Sequence, residues 1–246
     1  MNFLSIDTST KYSVVVIRDK GGKVHGCRRL FEKGRADRLA ALIVECLKRS
    51  GLEIGAMDYF GVGVGPGSFT GLRIGLSIIK GLSYALKKPC LVFSSLDAIA
   101  FNNAPYKKGR LCVMVDAKRS NVYSRFYDIA ESSVGSSCVN PVRNLISNGV
   151  KARPPKDALL SLPVLLQKIG TSMAFSGDAI DLYRKDILAK VKAPQFLAQR
   201  FWYPTPESIT SLTQESFRLK KAVDCFKLSA SYLYAQDCQV SSLLKR

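Results

Sequence analysis

Hydrophobic and polar positions follow one another along this chain in short, regular blocks. Residues 3–6 (FLSI) are an apolar run that ends at Asp7; the polar turn Thr8-Ser9-Thr10-Lys11 follows, and Tyr12–Ile17 is apolar again up to Asp19. Apolar runs this short, bounded by turn residues, predict buried strands. Lys20-Gly21-Gly22-Lys23 predicts a hairpin turn into a third strand from Val24. Over 36–49 the period changes. Leu39, Leu42, Ile43, Cys46 and Leu47 fall on one face of a helix, and Gly51 stands where it can cap the end. Residues 59–64 predict a strand, 70–86 a helix stopped by Pro89, 90–95 a strand and 95–101 a short helix. A last helix is predicted over 206–221, with Pro206 in its first turn and Lys220 and Lys221 in its last.

The opening pattern then recurs. Residues 4–19 (LSIDTSTKYSVVVIRD) and 113–128 (VMVDAKRSNVYSRFYD) both read strand, Asp, polar turn, strand, Asp, at a constant offset of 109. Asp7 matches Asp116, and Asp19 matches Asp128. A repeat of this length predicts a duplicated α/β core in two halves, each opened by a strand–turn–strand unit. The halves are set at 1–105 and 106–246, with the last helix able to fold back on the first. Residues 130–172, with prolines at 141, 154, 155 and 163, read as an extended insertion on the second half.

Composition narrows the chemistry. The 246 residues are 47% hydrophobic and 23% charged, enough apolar content for a substantial core and too much for a disordered chain. Charges or glycines interrupt every apolar run well short of a membrane span, and the N-terminus has no leader pattern, so neither membrane insertion nor a signal peptide is expected. One histidine, His25, rules out a multi-histidine zinc site; on its strand it reads as structural. Seven cysteines with no CxxC read as reduced thiols of a cytoplasmic protein. The net charge of +18 is spread over both halves. It suits contact with a polyanion or an acidic partner, or serves only solubility. Trp202, between Phe201 and Tyr203, either stacks a base or packs its segment onto the core.

The richest stretch is GVGVGPGSFTGLRIGLSIIKGL (61–82). It is neither a Walker A loop nor GxGxxG. A strand runs through a Gly/Pro-shaped loop into a helix start, with Ser68 and Thr70 as N-cap candidates. Two readings stand. Asp7, Thr8 and Ser9 together with Gly65, Gly67, Ser68 and Thr70 form a nucleotide- or anion-binding loop, or both segments are tight structural turns in which Asp7 caps its own backbone. Lys118 and Arg119, in the matching second turn, either face phosphate or are ordinary turn residues. Gly71 and Gly75 stack on one helix face and cost about 1 kcal/mol each against alanine. Another backbone must come close there, from this chain or from another.

MNFLSIDTST, the 61–82 stretch, VFSSLDAIA and VMVDAKRSNVYSRFYD stand in the order and spacing of the TsaB (YeaZ) family of bacterial tRNA threonylcarbamoyladenosine biosynthesis proteins. The chain resembles that family over residues 1–128, and more weakly at FSGDAI and LSASYLYAQ. The resemblance implies a two-lobed actin/Hsp70-like (ASKHA) fold. It also implies a non-catalytic paralogue of TsaD, the subunit that transfers a threonylcarbamoyl group to the adenosine beside the anticodon. Such proteins pair with TsaD through two first-lobe helices, are joined by the ATPase TsaE, and form homodimers when alone. By position the interface falls on Leu39, Leu42, Ile43, Cys46, Gly71, Ile74, Gly75, Ile78 and Leu82. No metal or cofactor is required, ATP or ADP is admitted at the lobe cleft or at the complex interface, tRNA contact is indirect or electrostatic, and no protease activity is expected. The HxxxH metal pair of the catalytic paralogue cannot be built with one histidine. The chain departs from the family at Arg35-Ala36-Asp37, where relatives often carry histidine, and at Ala230-Ser231-Tyr232-Leu233-Tyr234, where they usually read Pro-x-Tyr-Leu-Arg. The competing reading is a stand-alone nucleotide-binding enzyme working through Asp7 and the 65–71 loop.

Overall fold

A computed structural model describes residues 1–30, 37–102, 109–129, 157–170 and 172–233. The first lobe opens with β1 (Phe3–Asp7), β2 (Tyr12–Arg18) and β3 (Val24–Leu30). Then come α1 (Asp37–Ser50), β4 (Tyr59–Gly63), α2 (Phe69–Leu86), β5 (Cys90–Phe93) and α3 (Ser95–Phe101). The second lobe carries β6 (Gly109–Asp116), β7 (Asn121–Ile129), β8 (Ala158–Ser161), α4 (Leu162–Lys168), β9 (Ser172–Ser176), α5 (Ala179–Lys190) and β10 (Ala193–Phe196). The helix α6 (Pro206–Arg218) and the two-residue β11 (Ala222–Val223) follow.

The two sheets are laid out alike. The first has the order β11-β5-β4-β1-β2-β3 and the second β10-β9-β6-β7-β8. In each, the opening strand pairs antiparallel with the next and parallel with the fourth, and the fourth and fifth are parallel. β11 adds an antiparallel edge strand to the first sheet. Asp7 and Asp116 therefore end equivalent strands, and the repeat read along the chain is a repeat of topology.

Val14 and Val16 point to one face of β2, Val15 and Ile17 to the other, and all four are fully buried. A strand covered on both faces has no polar side, which explains its unbroken apolar run. On one face lie α1 and α2, with Leu39, Leu42, Ile43, Cys46, Leu76 and Ile79 packed on the sheet. On the other lie α3 and α6, through Ala98, Ile209 and Leu212. The last helix of the chain thus sits on the first sheet. α3 also meets the second lobe, where Leu96 and Ile99 pack with Leu111, Val113 and Tyr127.

The structure adds order in two places that the sequence pattern does not announce. Residues 158–168 are not part of an insertion. They form β8, the outer strand equivalent to β3, and then α4, with Leu162 and Leu165 buried. The rest of the expected insertion, 130–156, lies outside the described residues. The FSGDAI segment, for which the sequence pattern announces no helix, leads into the twelve-residue α5. Its buried residues are only Ala179, Ile180 and Ile187, while Leu182 and Leu188 face outward. Apolar residues on both sides blur the helical period. Trp202 and Tyr203 are buried in the second-lobe core, with Trp202 Nε1 donating to the Leu197 carbonyl at 2.8 Å, so this cluster packs rather than presents a stacking surface.

Candidate functional site

The site begins where β1 ends. The Asp7 carboxylate is fully buried and spent on its own chain. Its Oδ1 accepts the Ser9 amide at 3.0 Å and the Ser9 hydroxyl at 2.7 Å; its Oδ2 accepts the Ser95 hydroxyl at 2.6 Å. Ser95 Oγ in turn accepts the Gly65 amide at 3.2 Å. Gly63 leaves the room: a methyl group there would run into the Asp7 carboxylate. Burial pushes the Asp7 pKa above its ordinary value, and the bonds from Ser9 and Ser95 only partly oppose this.

The neighbouring turn is sewn to the glycine loop by one side-chain and one backbone hydrogen bond. Thr8 Oγ1 donates to the Gly71 carbonyl at 2.7 Å, and the Ser68 amide donates to the Ser9 carbonyl at 2.7 Å. Methyl groups on Gly67 and Gly71 would overlap the Ser9 and Thr8 carbonyl oxygens, and one on Gly75 would crowd Thr8 Oγ1. Ser68 caps α2 by accepting the Gly71 amide at 3.3 Å. Gly65, at φ +94, takes a backbone that other residues rarely adopt. This geometry supports the reading of both segments as tight structural turns. Asp7, Thr8, Ser9 and Gly65 are buried in a closed seam, and the amides of Ser68 and Gly71 already have acceptors; only the side chains of Ser68 and Thr70 reach the surface.

The second turn repeats the self-capping. Asp116 Oδ1 accepts the Lys118 amide at 2.8 Å, and Lys118 Nζ is ion-paired with the same carboxylate. The Asp116 amide donates to Asp178 at 3.1 Å, and burial raises the Asp178 pKa. Lys118, Arg119 and Ser120 all have positive φ, a backbone bought by the tight return into β7.

Because folded Asp7 holds its proton more tightly than the unfolded chain does, its contribution to stability is complete below the ordinary carboxylate pKa and is lost as pH rises through the folded value. Asp7→Asn removes that titration. Urea melts from about pH 7 down to about pH 4 should show wild type gaining stability relative to Asp7→Asn. A flat difference would show that burial does not govern this carboxyl.

Most residues of the expected interface face inward. Leu39, Leu42, Ile43 and Cys46 point into the sheet, all at 6% exposure or less. Gly71 and Gly75 face Thr8 of the same chain. Ile74, Ile78 and Leu82 are half-buried against the same core. The outward face carries Ala40, Ala41 and Val44 on α1 and Ser77, Gly81 and Ala85 on α2, together with the exposed Arg38, Lys48, Arg49, Arg73 and Tyr84 toward the helix ends. Val44 is 49% exposed, and a side chain added at Gly81 would meet nothing within 4 Å. The apolar stripe read in the sequence is thus the face turned to the sheet, and small residues stand opposite it.

Among the described residues no cluster of His, Cys, Asp and Glu is grouped to hold a metal ion, and no helix is long and apolar enough to cross a membrane. A metal of the kind implied for the catalytic paralogue does not fit here: Asp7 is occupied by serines, and His25 has no histidine to pair with.

Two lobes repeating one topology, joined through α3 and opening on Asp-capped turns, define the actin/Hsp70-like (ASKHA) class. The chain belongs to the TsaD family, whose model, described as tRNA N6-adenosine threonylcarbamoyltransferase, matches residues 29–237. Among curated proteins it is similar to the tRNA threonylcarbamoyladenosine biosynthesis protein TsaB of Haemophilus influenzae, 32% identical over 50% of this chain and 52% of that one. It is likewise 31% identical to TsaB of Escherichia coli over 54% of this chain and 58% of that one. The chain thus spans little more than half the length of these relatives. In fold it is similar to YeaZ from Pseudomonas aeruginosa, with a TM-score of 0.67 at 23% identity over 94% of this chain and 99% of that one.

Proposed function

We propose that this protein is a non-catalytic subunit of the machinery that places a threonylcarbamoyl group on the adenosine beside the anticodon of tRNAs. It acts by docking a TsaD-type catalytic partner, with a TsaE-type ATPase joining the pair, and it self-associates through the same face when alone. The observation that carries this reading is the outer surface of α1 and α2. Both helices cover one face of the first sheet, and Ala40, Ala41, Val44, Ser77 and Gly81 give the middle of that surface little height, between the exposed Arg38, Lys48, Arg73 and Tyr84 toward its ends. Small residues let a second pair of helices approach closely and bury their backbones' flanks. The closed Asp7 turn and the single histidine support a role without chemistry of its own.

Val44→Arg and Ser77→Arg test it. Both side chains are exposed, so the melting temperature should stay within a degree or two, by the usual mildness of surface changes. Co-purification with the TsaD-type partner from the same source should be lost. A complex that survives both changes overturns the docking face. Gly75→Arg is not an equivalent probe, because it drives a side chain into Thr8 and would act through folding. The reading of a stand-alone nucleotide enzyme predicts that ATP binds the isolated chain and that Asp7→Ala abolishes it. The engaged amides of Ser68 and Gly71 argue for no calorimetric signal.

A further inference from the structure

At the far end of the first sheet, where the C-terminus of α2 turns into β5 beside β11, two aromatic rings stand in solvent. Tyr84 is 68% exposed and Phe226 is 76% exposed, with ring centroids 5.7 Å apart and planes at 78°. They border an open concavity of about 760 Å³ whose wall includes Lys87 and Lys88. Lys80 lies one turn before Tyr84 on the same side of α2, and Lys227 follows Phe226 in the chain. None of these four lysines is ion-paired among the described residues. The one carboxylate in the wall, Asp224, accepts the Phe226 amide at 2.8 Å and so holds the ring's backbone in place.

Two exposed rings cost solvation, and at 68% and 76% these are the most exposed large apolar side chains among the described residues. Surrounded by unpaired cations on a chain of net charge +18, they match the requirements of one ligand class. Ring faces stack bases, and lysines follow the phosphates between them. We propose that this edge is a binding face for single-stranded RNA, the unpaired loop of a tRNA being the natural case. Its biological meaning rests on the tRNA-modification reading above; the binding itself does not.

The test uses the full chain alone and follows the anisotropy of fluorescein-labelled oligouridine, a duplex RNA of equal length and an unmodified tRNA transcript. Lys87→Glu with Lys227→Glu should weaken all three by about tenfold or more and lower the salt slope by about two. Tyr84→Ala with Phe226→Ala should weaken oligouridine by about tenfold while leaving the duplex unchanged. Lys185→Glu with Lys190→Glu, on the exposed side of α5, should change nothing. Val44→Arg should also bind RNA as wild type does, so the docking reading and this one fail separately. The proposal is overturned if wild type binds none of the RNAs, or if the patch variants bind like wild type. It is equally overturned if the α5 pair weakens binding as much as the patch pair, since diffuse charge would then suffice. Loss of a protein partner by the aromatic pair with RNA affinity intact would make the edge a protein-docking face instead.

Discussion

Gly71→Ala should lower the unfolding free energy by about 1–3 kcal/mol, while Gly81→Ala, ten residues later on the same helix, should raise it by about 0.5–1 kcal/mol. The propensity term is the same at both places and favours alanine by about 1 kcal/mol. Surroundings decide the sign. At Gly81 the added methyl meets nothing within 4 Å, so the propensity gain is kept. At Gly71 it lands on the Thr8 carbonyl oxygen, a backbone atom that no side-chain rotation can remove. The Thr8 turn and α2 must part, and overpacking of this kind costs about 1–3 kcal/mol. The Thr8–Gly71 hydrogen bond goes with it, for about another 0.5–1.5 kcal/mol. Urea denaturation of both variants reads the difference directly. Equal effects at the two glycines would mean that the seam between the Thr8 turn and α2 does not exist in solution.

That seam also shows where the sequence was legible and where it was not. The elements of the first lobe follow from period alone, because β2 is covered on both faces and α1 on one. The duplication was visible because the Asp-ended strands lie at a fixed offset. The glycine signature was recognisable as a place of close approach. Whether a phosphate, a partner helix or the chain itself approached could not be read, since Gly71 meets a turn 63 residues away. The apolar stripe of α1 reads equally as a docking surface or as a core face in the sequence, and the structure turns it to the sheet. Apolar spacing finds the buried face of a helix, and a face that binds a partner by closeness is marked by small residues with no period of their own. α5 escaped notice because its outward leucines, Leu182 and Leu188, erase the contrast between its sides. The edge aromatics Tyr84 and Phe226 are 142 residues apart in the chain, and only β11 pairing with β5 brings them together.

Arg125→Met should cost about 3–4 kcal/mol at neutral pH, the largest loss expected from a single polar side chain in this protein. Arg125, on β7, has a side chain only 16% exposed and reaches Asp97 of α3 at 3.1 Å and Asp157, beside β8, at 3.3 Å. Tyr127 donates to Asp97 at 2.9 Å and Ser94 to Asp157 at 3.1 Å, so the network ties the first lobe to the second. Burial pushes both carboxyl pKa values up, and the guanidinium holds them back down. With the cation gone, two half-desolvated carboxylates face each other and their pKa values climb further. The variant therefore binds protons more tightly when folded than unfolded, and its deficit should shrink as pH falls toward the ordinary carboxylate range. Adding Asp97→Asn and Asp157→Asn should return most of the lost stability, because a buried ionic group replaced whole is far cheaper than one broken in half. A deficit that stays constant between about pH 7 and about pH 5, or a triple variant no better than the single, would show that Arg125 acts by its packing on β7 and not as the cation between the lobes.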